Sequence, residues 1–157
     1  MNRRLDRGTR GRRSSAAWNI ATVNVTSWSA MLDVLQDLNL RRKKFDIICV
    51  QELMRPVEDE QQFDMQANRQ GYLLAVHGAR RTTAGGLTSG VGILTPFHLG
   101  LEVAQLLDTI TEPARERMVA RLWSGFSGRT ILVVSLYLFT GQGMHADNMY
   151  MLEQLGA

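Results

Sequence analysis

Apolar positions along this chain switch between a period of two and a period near 3.6, and the switches mark its elements. Residues 18–24 open with a strand-like run, Asn19-Ile20-Ala21-Thr22-Val23, that ends at Asn24. Ser27 or Ser29 can cap a helix starting near Ala30, where Leu32, Leu35 and Leu38 recur at three-residue steps and Val34 widens the stripe. Asp46-Ile47-Ile48-Cys49-Val50-Gln51 is a nearly continuous apolar run, suited to a strand buried on both faces. Pro56 and the acidic Glu58-Asp59-Glu60 open a second helix, with charges fitted to its amino end. Phe63 and Ala67 share a face of that helix, and Gly71 is its natural stop.

The second half of the pattern is richer in strands. Residues 72–76 read as a strand, 78–90 as a loop rich in Gly, Thr and Arg, and 91–95 as a strand halted by Pro96. Residues 117–125 and 129–137 predict a hairpin, with Met118, Ala120 and Leu122 alternating and Ser127-Gly128 as the turn. Past Gly141 and Gly143, Met149, Leu152 and Leu155 recur at helical spacing over residues 145–155. The expected fold class is therefore α/β, in one domain, closing on a helix that should lead into another strand.

Order turns the first two strands into a candidate site. Strand, helix and strand in that sequence make a crossover, so both strands run parallel and deliver Asn24 and Glu52 to one sheet edge. Ligand sites of open α/β sheets gather at that carboxyl edge. An amide oxygen and a carboxylate are donors suited to a hard cation.

Composition confines the setting. The chain has 157 residues, 45% of them apolar, so a packed core is expected and wholesale disorder is not. No apolar run reaches the ~18 residues needed to span a bilayer. The basic start lacks the apolar segment of a secretory signal, and Cys49 is the single cysteine, so the chain suits a reducing intracellular compartment, nuclear or cytoplasmic. The net charge of +3 is uneven. Arg3, Arg4, Arg7, Arg10, Arg12 and Arg13 face only Asp6, leaving +5 on the first 13 residues and −2 on the rest. Residues 1–17 are thus expected to form a disordered basic tail before a domain over 18–157. The tail suits nucleic-acid phosphates or a nuclear address; a solvated extension, or upstream sequence read through in a gene model, explains it equally simply.

Taken together, Val23-Asn24-Val25, Asp46-Ile47-Ile48-Cys49-Val50-Gln51-Glu52, Gly90-Val91-Gly92-Ile93-Leu94, and the Arg-led hairpin from Arg117-Met118-Val119-Ala120 to Val133-Val134-Ser135-Leu136-Tyr137 form an ordered set. Their order and spacing over about residues 18–155 resemble the endonuclease/exonuclease/phosphatase family of metal-dependent phosphodiesterases. The resemblance implies a four-layer α/β sandwich, of which this chain would be the first half. It also implies Mg²⁺ (or Mn²⁺) held by Glu52 with help from Asn24, and a scissile phosphate steadied by Asn24 and Tyr137. A phenol is a neutral donor that can stabilise charge growing on a phosphate oxygen. DNA is the favoured partner, as for endonucleases of retroelement or repair type.

Departures from the family limit this reading. Phe139 stands two residues past Tyr137, where the family usually has Pro, and Thr26 stands where a polar or acidic residue is common. The family's second half carries Gly-Asp-x-Asn and Ser-Asp-His, which supply the base; neither occurs here, and Asp147-Asn148 falls on the last predicted helix. General bases contribute about two to four orders of magnitude. Residues 1–157 alone are therefore expected to be inactive, as a truncated domain that a second half or partner chain would complete. The face of Ile131-Leu132-Val133-Val134 is expected to lie uncovered and to drive aggregation.

Simpler roles compete at several positions. Glu52 could end a strand in solvent, Asn24 could form a turn, and Tyr137 could pack. Arg41, Arg42, Lys43 and Lys44 could bind phosphate, but complementing the helix dipole and solvation account for them. Cys49 reads as core, and Met144, Met149 and Met151 as helix packing. Gly85-Gly86 through Gly92 match neither a P-loop nor a dinucleotide fingerprint, and His77, His98 and His145 lack ligand spacing. The alternative function is a non-catalytic fragment or a small nucleic-acid-binding module acting through its tail.

Overall fold

A computed structural model describes residues 18–99, 102–106, 117–124, 130–139, 143–153 and 155. The expected basic tail and the Ser127-Gly128 turn lie outside the described residues. Three helices and nine strands are present among them: β1 (Ile20–Asn24), α1 (Trp28–Leu40), β2 (Ile47–Gln51), α2 (Glu60–Arg69), β3 (Tyr72–His77), β4 (Arg80–Arg81), β5 (Leu87–Thr88), β6 (Val91–Pro96), β7 (Glu102–Leu106), β8 (Met118–Ser124), β9 (Thr130–Leu136) and α3 (Ala146–Glu153).

The first sheet has the order β1-β2-β6-β3. β1 and β2 are parallel, with Asn24 opposite Gln51, as the crossover requires. β6 runs antiparallel to both β2 and β3. A second sheet, β7-β8-β9, is antiparallel throughout, and β4 pairs with β5 as a short ribbon inside the Gly-rich loop.

Burial of β2 on both faces stacks these pieces into layers. Ile48 and Val50 face the helices, packing with Trp28, Met31 and Leu35 of α1 and Phe63 and Ala67 of α2. Ile47 and Cys49 face the other way, into a core shared with Ile93, Val119 and Val133 that joins the two sheets. On the far side of the second sheet, Met151 of α3 packs against Met118, with Val134 and Leu136 beside them. The layer order is helix, sheet, sheet, helix, a mixed α/β fold.

Helix α1 begins at Ser27, whose hydroxyl accepts from the Ala30 amide at 3.2 Å. Its inward face is Trp28, Met31 and Leu35; Leu32 and Leu38 of the expected stripe are only half-buried. The apolar count misses that rotation because Trp28 and Met31 begin the helix earlier than a leucine stripe suggests. Helix α3 differs more: Asn148 and Met151 point inward, whereas Leu152 and Leu155 are exposed. Met144, expected in helix packing, is also exposed.

The hairpin's open face is smaller than expected. Val133 and Ser135 are buried between the sheets, Ile131 and Val134 are half-buried, and of Ile131-Leu132-Val133-Val134 only Leu132 is largely exposed. Alternation explains this, since Ile131, Val133 and Ser135 all point to the first sheet. Tight packing continues at Gly78, where an added Cβ would lie 2.6 Å from the Val57 Cα. There the amide of Gly78 donates to Glu60 Oε1 at 2.7 Å, joining the start of α2 to the end of β3.

Candidate functional site

The carboxyl edge of β1 and β2 is built from backbone first. The Val25 amide donates to the Gln51 carbonyl at 3.0 Å, extending the parallel ladder by one step. Leu53 and Met54 then donate to the carbonyls of Gly90 and Ser89 at 3.1 and 3.3 Å. Gly90 has φ +86°, and a Cβ there would sit 3.2 Å from that of Leu53, so glycine is required for this close approach. Between these two anchors Glu52 adopts φ +59°. Glutamate gains nothing from the left-handed region and typically loses about 1–2 kcal/mol there. Such strain tends to persist where surrounding structure holds a functional side chain.

That conformation turns the Glu52 carboxylate to Asn24, whose Nδ2 donates to Oε1 at 3.1 Å. The Tyr137 hydroxyl, arriving from the end of β9 in the second sheet, lies close enough to Glu52 to sense its carboxylate. Burial pushes the Tyr137 phenol above its ordinary value; the neighbouring Glu52 carboxylate adds to the rise, and Arg117 offsets part of it. The phenol therefore stays protonated, as a donor, through the neutral range. The structure thus brings together the three residues singled out in the sequence.

A second, buried network holds the strand that carries Tyr137. Ser135 donates to the Val50 carbonyl at 3.1 Å and lies 3.3 Å from Gln51 Nε2, so the two sheets are hydrogen-bonded beside the site. Gln51 also reaches Thr22 Oγ1 at 3.2 Å. Arg117, only 4% exposed, donates to the Tyr137 carbonyl at 3.2 Å, to the Asp147 carbonyl at 3.3 Å and to Asn148 Oδ1 at 2.7 Å. Its guanidinium lies 4.0 Å from the centre of the Phe139 ring, which meets Tyr137 edge-on. Asn148 in turn holds both backbone groups of Phe139, at 2.9 and 3.1 Å.

Sequence reasoning found Arg117 as the start of a hairpin but missed this clamp. The available signal was an arginine and an asparagine placed within otherwise apolar surroundings, which need each other's hydrogen bonds if buried. Phe139, a departure by sequence, has a packing role in the clamp. Asp147-Asn148 does lie on a helix, as expected, and Asn148 is spent on structure.

His77 and His145 do not join the site. His77 Nδ1 is 2.8 Å from the Met118 carbonyl and must donate to it, while His145 lies 3.9 Å from Asp147 on the surface. The side chain of His98 lies outside the described residues. Cys49 is buried, and burial raises its thiol above the ordinary range, consistent with a core residue and not a nucleophile. Among the described residues no three His, Cys, Asp or Glu side chains form a group that could hold a metal ion. The Glu52 carboxylate and the Asn24 amide oxygen are nonetheless donor types that Mg²⁺ accepts, since it takes one or two carboxylates and keeps several waters.

The chain matches no protein-family model and no curated protein. Its fold is similar to that of solved nuclease and phosphatase structures. A 3′ phosphatase, NExo, from Neisseria, bound to product DNA hairpin, matches with TM-score 0.56 and 21% identity over 88% of this chain and 48% of that one. The AP endonuclease LMAP from Leishmania major matches with TM-score 0.53 and 19% identity, over 88% of this chain and 43% of that one. The catalytic domain of Xenopus laevis APE2 matches with TM-score 0.52 and 15% identity, over 85% and 49%. This chain therefore spans about half the length of each. The likeness establishes a shared α/β fold.

Proposed function

We propose that Asn24, Glu52 and Tyr137 form the metal and phosphate side of an Mg²⁺-dependent phosphodiester hydrolase site of endonuclease type, in the endonuclease/exonuclease/phosphatase family. The observation that carries this reading is the Asn24–Glu52 pair at the carboxyl edge of the first sheet, with Glu52 held at φ +59° and the Tyr137 phenol of the second sheet near its carboxylate. Mg²⁺ or Mn²⁺ at Glu52 would supply Lewis-acid polarisation of a phosphoryl oxygen. Asn24 orients the carboxylate, and the protonated Tyr137 phenol donates to a phosphate oxygen where charge develops. The nuclease-type fold neighbours, one of them bound to DNA, support a nucleic-acid substrate. No helix among the described residues is long and apolar enough to cross a membrane.

The proposal extends to what residues 1–157 do by themselves. They contain neither Gly-Asp-x-Asn nor Ser-Asp-His, and His77 is engaged at Nδ1. A second half or partner chain is proposed to supply the base. Incubated with supercoiled DNA and Mg²⁺, residues 1–157 are expected to nick no faster than buffer. Nicking that Glu52→Ala abolishes would overturn the inactivity while upholding the site; nicking that survives Glu52→Ala would overturn the site.

One observation favours a second reading, a nucleic-acid-binding module: the first 13 residues carry +5 while the rest carries −2. Salt-sensitive DNA binding that survives Glu52→Ala and vanishes on deleting residues 1–13 would select it.

A further inference from the structure

The amino edge of the first sheet, opposite Glu52, carries a second charged feature that the proposed site does not use. Five residues of β2 separate the two edges, roughly 17 Å of extended chain. A cleft of about 370 Å³ opens there, lined by Arg42, Lys43 and Lys44 together with Asn39, Gln70 and Gly71, and none of its lining residues is acidic.

The helix dipole does not explain these cations. Helix α1 ends at Leu40 with no basic residue in its last turn, and Arg41 at the cap pairs with Asp37 at 2.7 Å. Arg42 to Lys44 come after the cap. Arg42 donates to Asn39 and Lys43 to Leu38, at 3.1 and 3.0 Å, the paired bonds of a Schellman stop. That stop needs a left-handed residue, normally glycine, and here arginine occupies it with φ +53°. The backbone at this point would be better served by glycine, so only the side chain gives arginine an advantage. Among the described residues neither Arg42, Lys43 nor Lys44 forms an ion pair. The Asn39 amide bonds to the Gln70 carbonyl and side chain at 3.1 and 3.3 Å, tying the end of α1 to the end of α2 and holding the cleft's walls together.

We propose that this cleft is a binding site for a phosphate group, with the Arg42 guanidinium and the two lysine ammonium groups as its donors. A fork of guanidinium donors and two mobile ammonium groups is the donor set that phosphate oxygens favour. The phosphate belongs either to a nucleic-acid backbone or to a small phosphorylated molecule.

Inorganic pyrophosphate titrated into the full chain at low ionic strength tests this, followed through the Gln70 and Gly71 amide resonances. Those amides are expected to shift saturably, and Lys43→Ala and Arg42→Gly are each expected to weaken binding about tenfold. Arg42→Gly should at the same time raise the melting temperature, because glycine relieves the left-handed conformation. A purely structural arginine would not produce that opposition. Amides that stay still on titration, or Arg42→Gly binding as tightly as the parent, would overturn the proposal. A short duplex DNA that displaces pyrophosphate from these amides identifies a backbone phosphate as the natural ligand. Pyrophosphate retained while the duplex binds elsewhere identifies a small one.

Discussion

Arg117→Ala is expected to destabilise the fold by roughly 3–5 kcal/mol, because three acceptors lose their buried donor at about 1–3 kcal/mol each. The substitution removes donors from the carbonyls of Tyr137 and Asp147 and from Asn148 Oδ1, and takes the cation off the Phe139 ring. A domain of this size is typically stable by about 5–15 kcal/mol, so the loss would consume much of the total. Arg117→Lys should recover little, since one ammonium cannot reproduce a planar fork aimed at three acceptors. Because Tyr137 follows the strand that Arg117 anchors, its contact with Glu52 should loosen in step. Urea unfolding followed by circular dichroism measures the first effect, and a midpoint within experimental error of the parent would contradict it.

Trp28→Ala is the second large loss, again about 3–5 kcal/mol. Its ring is buried to 1% exposure, lies 5.0 Å from that of Phe63, and donates from Nε1 to Gln66 at 2.6 Å. The side chain thus ties α1 to α2 and both helices to the outer face of β2. Trp28→Phe should restore most of the packing but leave Gln66 without its donor, a deficit near 1 kcal/mol. Hydrogen exchange should show the amides of α1 losing protection in Trp28→Ala before those of β8 and β9. Equal loss in α1 and in β8 and β9 would mean that the helix layer and the second sheet unfold as one unit.

What the sequence revealed and what it hid follow from the range of each interaction. Strands and helices announced by period and caps were legible, because Ser27, Gly71 and the apolar run before Gln51 act on their immediate neighbours. Strand direction for β6 was not, since nothing local to residues 91–96 specifies that it runs antiparallel to β2. Strand β7 was missed altogether. The rotation of α3 was hidden for a similar reason: an inward asparagine is favourable because Arg117, 31 residues away, and the backbone of Phe139 and Gly143 supply its partners.

The site divides along the same line. The meeting of Asn24 and Glu52 could be reasoned out, since a crossover unit fixes both strand ends. That Tyr137 would join them depended on how the second sheet stacks on the first, where Ser135 and Val133 make the connection. The left-handed Glu52 could not be read in advance, because glutamate carries no sign of it. The same blindness applied to Arg42, whose charge invited a dipole explanation that the helix boundary removes.

The central claim is that Glu52 anchors a divalent cation at the carboxyl edge of the first sheet. Mn²⁺ binding to the full chain, followed by the loss of free-ion paramagnetic resonance signal, tests it most directly. The expected result is one saturable site weakened at least about tenfold in Glu52→Gln, which keeps the side chain's size and removes its charge. Mn²⁺ binding of equal strength in the parent and in Glu52→Gln, or no saturable site in the parent, would contradict it.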